Sequence, residues 1–206
     1  MSLGKRTIDA VLSFASLVLL FPFLAIIAIL VRCTSKGPAL YWQERVGRGG
    51  RTFEIAKFRT MFLGADRNGL HITTSGDARI TRLGVILRKF KIDELPQLWN
   101  VLKGDMSLVG PRPELPEYVT DYSPEQRMVL SVRPGITDIA SIHYRNEEEV
   151  LGQSENPEEF YRNAVLPHKL ALNLQYIERI SLFSDLKLIS KTVRALLIPP
   201  SSTQDR

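Results

Sequence analysis

The chain has 206 residues, 44% hydrophobic and 24% charged, with a formal net charge of +5. That composition suits one folded unit plus an extra element and excludes a disordered or low-complexity chain. The charge is uneven: residues 1–112 carry 17 Lys/Arg against 8 Asp/Glu, and the remainder 10 against 14. A basic half implies an anionic partner.

Ala10 to Val31 contains no charge. At about 1.5 Å per residue it reaches roughly 33 Å, close to the ~30 Å thickness of a bilayer core, so membrane insertion is the expectation. A cleaved signal peptide, a lipoprotein anchor and a buried core helix each fit less well. The run is too long for a signal h-region and no small-x-small site follows it. Arg32 stands before Cys33, where lipidation needs a small residue, and a buried helix of this length would need a larger domain around it. Pro22, at its middle, frees the carbonyl of Val18 and predicts a bend. Lys5 and Arg6 precede the run while Arg32 and Lys36 follow it, so positive charge favours neither orientation. The expectation for residues 1–36 is a broken helix that enters one leaflet and returns, with Ser13 and Ser16 bonding carbonyls near the bend. A span kinked at Pro22 is the alternative.

Ala39–Glu44 and Thr52–Lys57 flank Val-Gly-Arg-Gly-Gly-Arg and predict a β-hairpin, since Gly47, Gly49 and Gly50 have neither the following helix nor the Gly-Lys-Ser/Thr of a phosphate loop. Helices are expected over Asp77–Phe90 and Asp93–Lys103, with Pro96 tolerable only in a first turn. Pro124–Val132, the Arg133-Pro134-Gly135 turn and a long helix over Asn156–Ile180, breaking at Pro167, follow. Ser184–Ile198 reads as an amphipathic interfacial helix, or else as a surface helix packed on the core. The fold class expected is α+β and mostly helical, with residues 37–183 as the catalytic body and 184–206 as interfacial helix and tail.

The residues with chemical potential are Lys91-Ile92-Asp93-Glu94-Leu95-Pro96-Gln97-Leu98-Trp99-Asn100, Gly104-Asp105-Met106-Ser107 and Gly110-Pro111-Arg112-Pro113. Alone, Asp93 reads as a helix N-cap with Glu94 in the first turn. Yet Lys57, Arg59, Arg79, Arg82, Arg88, Lys89, Lys91 and Arg112 supply more positive charge than two carboxylates need. That surplus beside a membrane segment suits phosphate groups held by cations and a metal ion held by carboxylates. Phosphoryl transfer follows. Neighbouring helical residues point about 100° apart, so one acid should attack and the other bind metal. Direct transfer with Asp93 as general base remains an alternative, as does a non-enzymatic basic adaptor on anionic lipid. A nucleic-acid binder would have no use for the acidic pair. His71, His143 and His168 read as surface or packing residues and Glu147-Glu148-Glu149 as a solvated helix start. Trp42, Trp99 and Tyr144 could stack on uracil or sit at the interface.

Together, the proline-containing apolar segment, Lys57-Phe58-Arg59-Thr60-Met61, the two blocks above and Arg133-Pro134-Gly135-Ile136-Thr137 resemble the bacterial sugar transferases, or monotopic phosphoglycosyl transferases. The resemblance implies transfer of a sugar phosphate from a UDP-sugar to undecaprenyl phosphate at the cytoplasmic face of a bacterial inner membrane. It implies Asp93 as nucleophile, forming an aspartyl phosphosugar with release of UMP, and Glu94 as a Mg²⁺ ligand beside Asp93 or an aid to the second step. It places Arg112 on phosphate, framed by Pro111 and Pro113, with Lys57, Arg59 and Arg88 as weaker candidates, and it favours the re-entrant helix. The chain's brevity resembles the small members that begin protein N-glycosylation with UDP-N,N′-diacetylbacillosamine. One departure is Asp138, where many relatives have glycine.

Overall fold

The computed structural model describes residues 3–65 and 72–197. His71, Pro199-Pro200 and the polar tail lie outside the described residues. Helix α1 (Leu3–Thr34) keeps helical backbone through Pro22, so the chain does not leave the helix there. Its apolar window is 11% buried. Burial falls at the two ends, with Lys5, Asp9 and Ser13 near the start and Ile27 and Val31 near the finish. Between them Val18, Leu19 and Phe21 are more than 60% exposed, a surface water would penalise and lipid would not. The bonding expected of Ser13 is not realised: its Oγ is buried without a hydrogen-bond partner.

The hairpin forms as expected from β1 (Leu40–Val46) and β2 (Thr52–Phe58), antiparallel, with Val46 opposite Thr52. Gly49 and Gly50 take φ of 70° and 76° in its turn, which only glycine adopts freely. Helix α2 (Arg82–Lys89) is shorter than the expected 77–90. Asp77 instead accepts from Arg79 N at 2.9 Å in a local turn, Ile80 bridges to Met61, and Thr81 caps the helix by accepting from Gly84 N. The second expected helix splits into a 3₁₀ turn (Ile92–Glu94) and α3 (Gln97–Lys103), because Pro96 has no amide to extend a helix backwards.

An element absent from the expectation follows: β3 (Ser107–Val109) pairs in parallel with β4 (Gly135–Thr137). The strands meet so closely that a Cβ on Gly135 would lie 2.1 Å from Gly110 N. Helix α4 (Pro116–Thr120) and a 3₁₀ stretch (Gln126–Ser131) lie between them in sequence. After β4 come α5 (Ile139–His143), α6 (Glu147–Gly152) and α7 (Pro157–Phe160). A π turn (Tyr161–Val165) joins α7 to α8 (Leu166–Glu178). The expected break near Pro167 is therefore a widened turn, with the proline in the first turn of α8 where no donor is needed. The Glu147–Glu149 run is not merely solvated, since Lys169 binds Glu147 at 2.9 Å and Arg88 binds Glu148 at 2.8 Å.

The main core gathers Val46, Tyr118, Tyr122, Val129, Leu151, Tyr161 and Leu166. A second core seats Ile27 and Val31 of α1 on Phe58 and Leu87. Helix α9 (Leu182–Leu197) buries Leu188 against Val109 and Tyr176 and exposes Phe183, Leu186 and Val193, so it is amphipathic and packed at once.

Candidate active site

Asp93 and Glu94 sit in the 3₁₀ turn directly after Lys91, whose φ of 55° is the only positive value outside glycine among the described residues. A lysine held there is strained and turns the chain sharply into the acidic pair. Both carboxylates are buried, 8% and 7% exposed, and neither caps a helix. Their surroundings differ.

Glu94 is fully engaged. Arg112 donates through both terminal nitrogens, Nη1 to Oε2 at 3.1 Å and Nη2 to Oε1 at 2.5 Å, and Lys57 Nζ stands 3.6 Å from Oε1. Burial alone would raise the Glu94 carboxyl, but Arg112 and Lys57 hold it well below the usual range. Asp93 feels Lys57, Lys91 and Arg88 only at a distance and makes no ion pair among the described residues. Its Oδ1 is buried without a hydrogen-bond partner, and burial together with the Glu94 charge raises its carboxyl to about 6. The structure thus separates the two acids by environment, Glu94 held low by its cations and Asp93 raised with an oxygen left without a hydrogen bond.

Lys57 reaches the site from the end of β2, and burial lowers its ammonium to about 8 against the pull of Glu94. Arg112 arrives from the loop after β3, its guanidinium charge reinforced by Glu94. Pro111 and Pro113 shape that loop: Pro111 O accepts from Gly135 N at 3.0 Å and Pro113 O from Arg45 Nη1 at 3.3 Å. Arg59, two residues beyond Lys57, is occupied elsewhere. Its guanidinium donates to the carbonyls of Val31, Ser35 and Lys36, capping the C-terminal end of α1. Arg88 lies close enough to lower the Asp93 carboxyl but is paired with Glu148.

Two residues that the sequence reading gave no role in the site stand behind Arg112. Glu114, 7% exposed, accepts from Tyr161 Oη at 2.8 Å and faces both Arg45 and Lys169 at 3.6 Å. Asp138 accepts from the Arg112 amide at 2.9 Å. These partners come from four separate elements, so no local pattern announces them. Tyr144 is taken up by His168, Oη to Nδ1 at 2.7 Å, whereas Trp42 and Trp99 are half exposed. No group of three or more His, Cys, Asp or Glu able to hold a metal occurs among the described residues.

A family model described as bacterial sugar transferase matches residues 1–199. The UDP-N-acetylgalactosamine-undecaprenyl-phosphate N-acetylgalactosaminephosphotransferase of Aeromonas hydrophila is 36% identical over 94% of this chain and 43% of its own length. The UDP-glucose:undecaprenyl-phosphate glucose-1-phosphate transferase of Caulobacter vibrioides is 40% identical over 95% of this chain and 70% of its own. The chain therefore spans less than half of the first relative and over two thirds of the second.

Proposed function

Because the chain belongs to the bacterial sugar transferase family, we propose that it transfers a sugar 1-phosphate from a UDP-sugar to undecaprenyl phosphate, releasing UMP. The observation that carries this reading is the split carboxylate pair: a buried, unpartnered Asp93 beside a Glu94 clamped by Arg112 and Lys57. A carboxylate oxygen that accepts no hydrogen bond has its lone pairs uncommitted, which suits a nucleophile. Asp93 attacks the sugar-bearing phosphorus of the donor, the bond from that phosphorus to the bridging oxygen breaks, and UMP leaves with the electron pair. An oxygen of undecaprenyl phosphate then attacks the same phosphorus, and the Asp93 carboxylate leaves. The N–H groups of Arg112 not used by Glu94, with Lys57, face the phosphates and offset their charge. Glu94 keeps those cations in place.

The residues also fit Mg²⁺. Magnesium takes one or two carboxylates and completes its shell with phosphate oxygens and water, and the Asp93 oxygen that does not attack phosphorus is such a donor. Asp93 would hold the ion; the oxygens of Glu94, the other expected ligand, are turned to cations. Bound there, the metal supplies positive charge against the diphosphate. Attachment to the cytoplasmic face of the bacterial inner membrane is part of the same proposal, and both ends of α1 seated on one body support a re-entrant helix.

The test is UMP release from purified protein without acceptor, using labelled UDP-sugar. Label retained on the wild type and absent from Asp93→Asn is the expected result; full transfer by Asp93→Asn overturns the covalent route. Relatives named for N-acetylgalactosamine and glucose make those donors, beside UDP-N,N′-diacetylbacillosamine, the panel to compare. Preference for the last supports a role in protein glycosylation, and preference for either other sugar one in polysaccharide assembly.

A further inference from the structure

The loop bearing Arg112 is held through the Pro111 and Pro113 carbonyls but has few donors of its own. Pro111 and Pro113 carry no amide hydrogen, so from Gly110 to Pro113 the backbone offers two donors. Both go to consecutive residues at the end of β4. Gly110 N donates to Thr137 O at 3.1 Å, and Arg112 N donates to Asp138 Oδ2 at 2.9 Å. The first acceptor is a main-chain carbonyl, available whatever side chain stands at 137. The second exists only because residue 138 has an acidic side chain.

Asp138 is itself held firmly. It is 1% exposed, its Oδ1 accepts from Ser141 N at 2.5 Å as the N-cap of α5, and its Oδ2 also accepts from Asn173 Nδ2 of α8 at 3.0 Å. Three donors converge on its two oxygens. A cap alone is served as well by Ser, Thr or Asn, and burying a carboxylate is costly. An Asn here that kept the Ser141 bond would turn its own NH₂ toward the Arg112 amide. The arrangement therefore requires an acid at the point where it meets Arg112.

We propose that Asp138 is a positioning residue that fixes the direction in which Arg112 presents its guanidinium to Glu94 and to the donor's phosphates. It acts by tying the only free amide of the Pro-Arg-Pro loop to α5 and α8. This rests on the transferase reading above.

Two measurements on Asp138→Asn decide it. Amide exchange in the 110–113 segment reports on two amides alone, and Arg112 should exchange at least about tenfold faster while Gly110 holds its rate. In the donor half-reaction the single-turnover rate constant for UMP release should fall about tenfold or more in the wild-type background but less than about twofold in Arg112→Lys, where the guanidinium to be aimed is gone. An equal fall in both backgrounds, or an unchanged Arg112 amide, overturns the proposal. If Asp138→Asn does not fold, Asn173→Ala, which removes the tie from Asp138 Oδ2 to α8 and leaves its bond to Arg112 unsupported, should show the same pattern at about threefold, and equal losses there are equally fatal. Exchange needs no substrate, so it judges the anchor even if the wild type releases no UMP, the outcome that would sink the transferase reading instead.

Discussion

Two adjacent acids with opposite environments make distinct predictions. Asp93 is raised to about 6, so the carboxylate that attacks is lost as pH falls through that value; Lys57, lowered to about 8, loses its proton as pH rises past it. Acceptor-independent UMP release should rise as pH passes the first value and fall as it passes the second. Lys57→Arg should abolish the alkaline limb and leave the acid one. The raised Asp93 also costs stability. Its native value lies above the ordinary 3.8, so the unfolded chain releases that proton more readily, and ionisation favours unfolding above pH 4. Asp93→Asn should therefore be inactive yet more stable at pH 7 by on the order of 2 kcal/mol, an advantage that shrinks as pH falls from 6 to 4. Chemical denaturation at several pH values, with chelator present, measures it.

At the scale of elements, the Pro-Arg-Pro loop depends on β3 and β4 meeting at Gly110 and Gly135. Gly135→Ala would push a methyl group into the Gly110 backbone, which cannot swing away as a side chain can. We expect a loss of about 2 kcal/mol or more in thermal unfolding, with activity falling further as Arg112 shifts. Lengthening the loop elsewhere should not mimic it. This strand pair also marks the limit of what the sequence discloses. The hairpin, the latter part of the expected 93–103 helix and the amphipathic α9 were legible because turn glycines and apolar spacing are local. β3 and β4 have three residues each, stand 28 positions apart and show no alternation, so only tertiary pairing defines them. Arg59 is the parallel case at the site. Its neighbour Lys57 meets Glu94 as the motif implied, but Arg59 caps α1, and nothing in Lys-Phe-Arg-Thr-Met tells the two cations apart.

For the molecule as a whole, the decisive feature is where the ends of α1 are fastened. Near its start, Lys5 pairs with Asp185 of α9, Arg6 donates to the Val101 and Leu102 carbonyls, and Asp9 accepts from Ser107 Oγ at 2.7 Å. At its finish, Arg59 grips the carbonyls of Val31, Ser35 and Lys36, and Ile27 and Val31 lie on Phe58 and Leu87. Both ends thus belong to one polar, folded body, and only the stretch between them is left for lipid. A helix crossing the bilayer would carry one end about 30 Å away from that body. The basic residues flanking the apolar run, which as loop charges favoured neither orientation, are partly consumed as docking contacts. An impermeant maleimide can therefore distinguish the topologies, using the exposed native Cys33 in one protein and Leu3→Cys with Cys33→Ala in another. In sealed membrane vesicles carrying the protein both positions should react from the same side as a cysteine placed on the folded body. Reaction from opposite sides would mean that α1 spans the membrane and that its end contacts do not survive insertion.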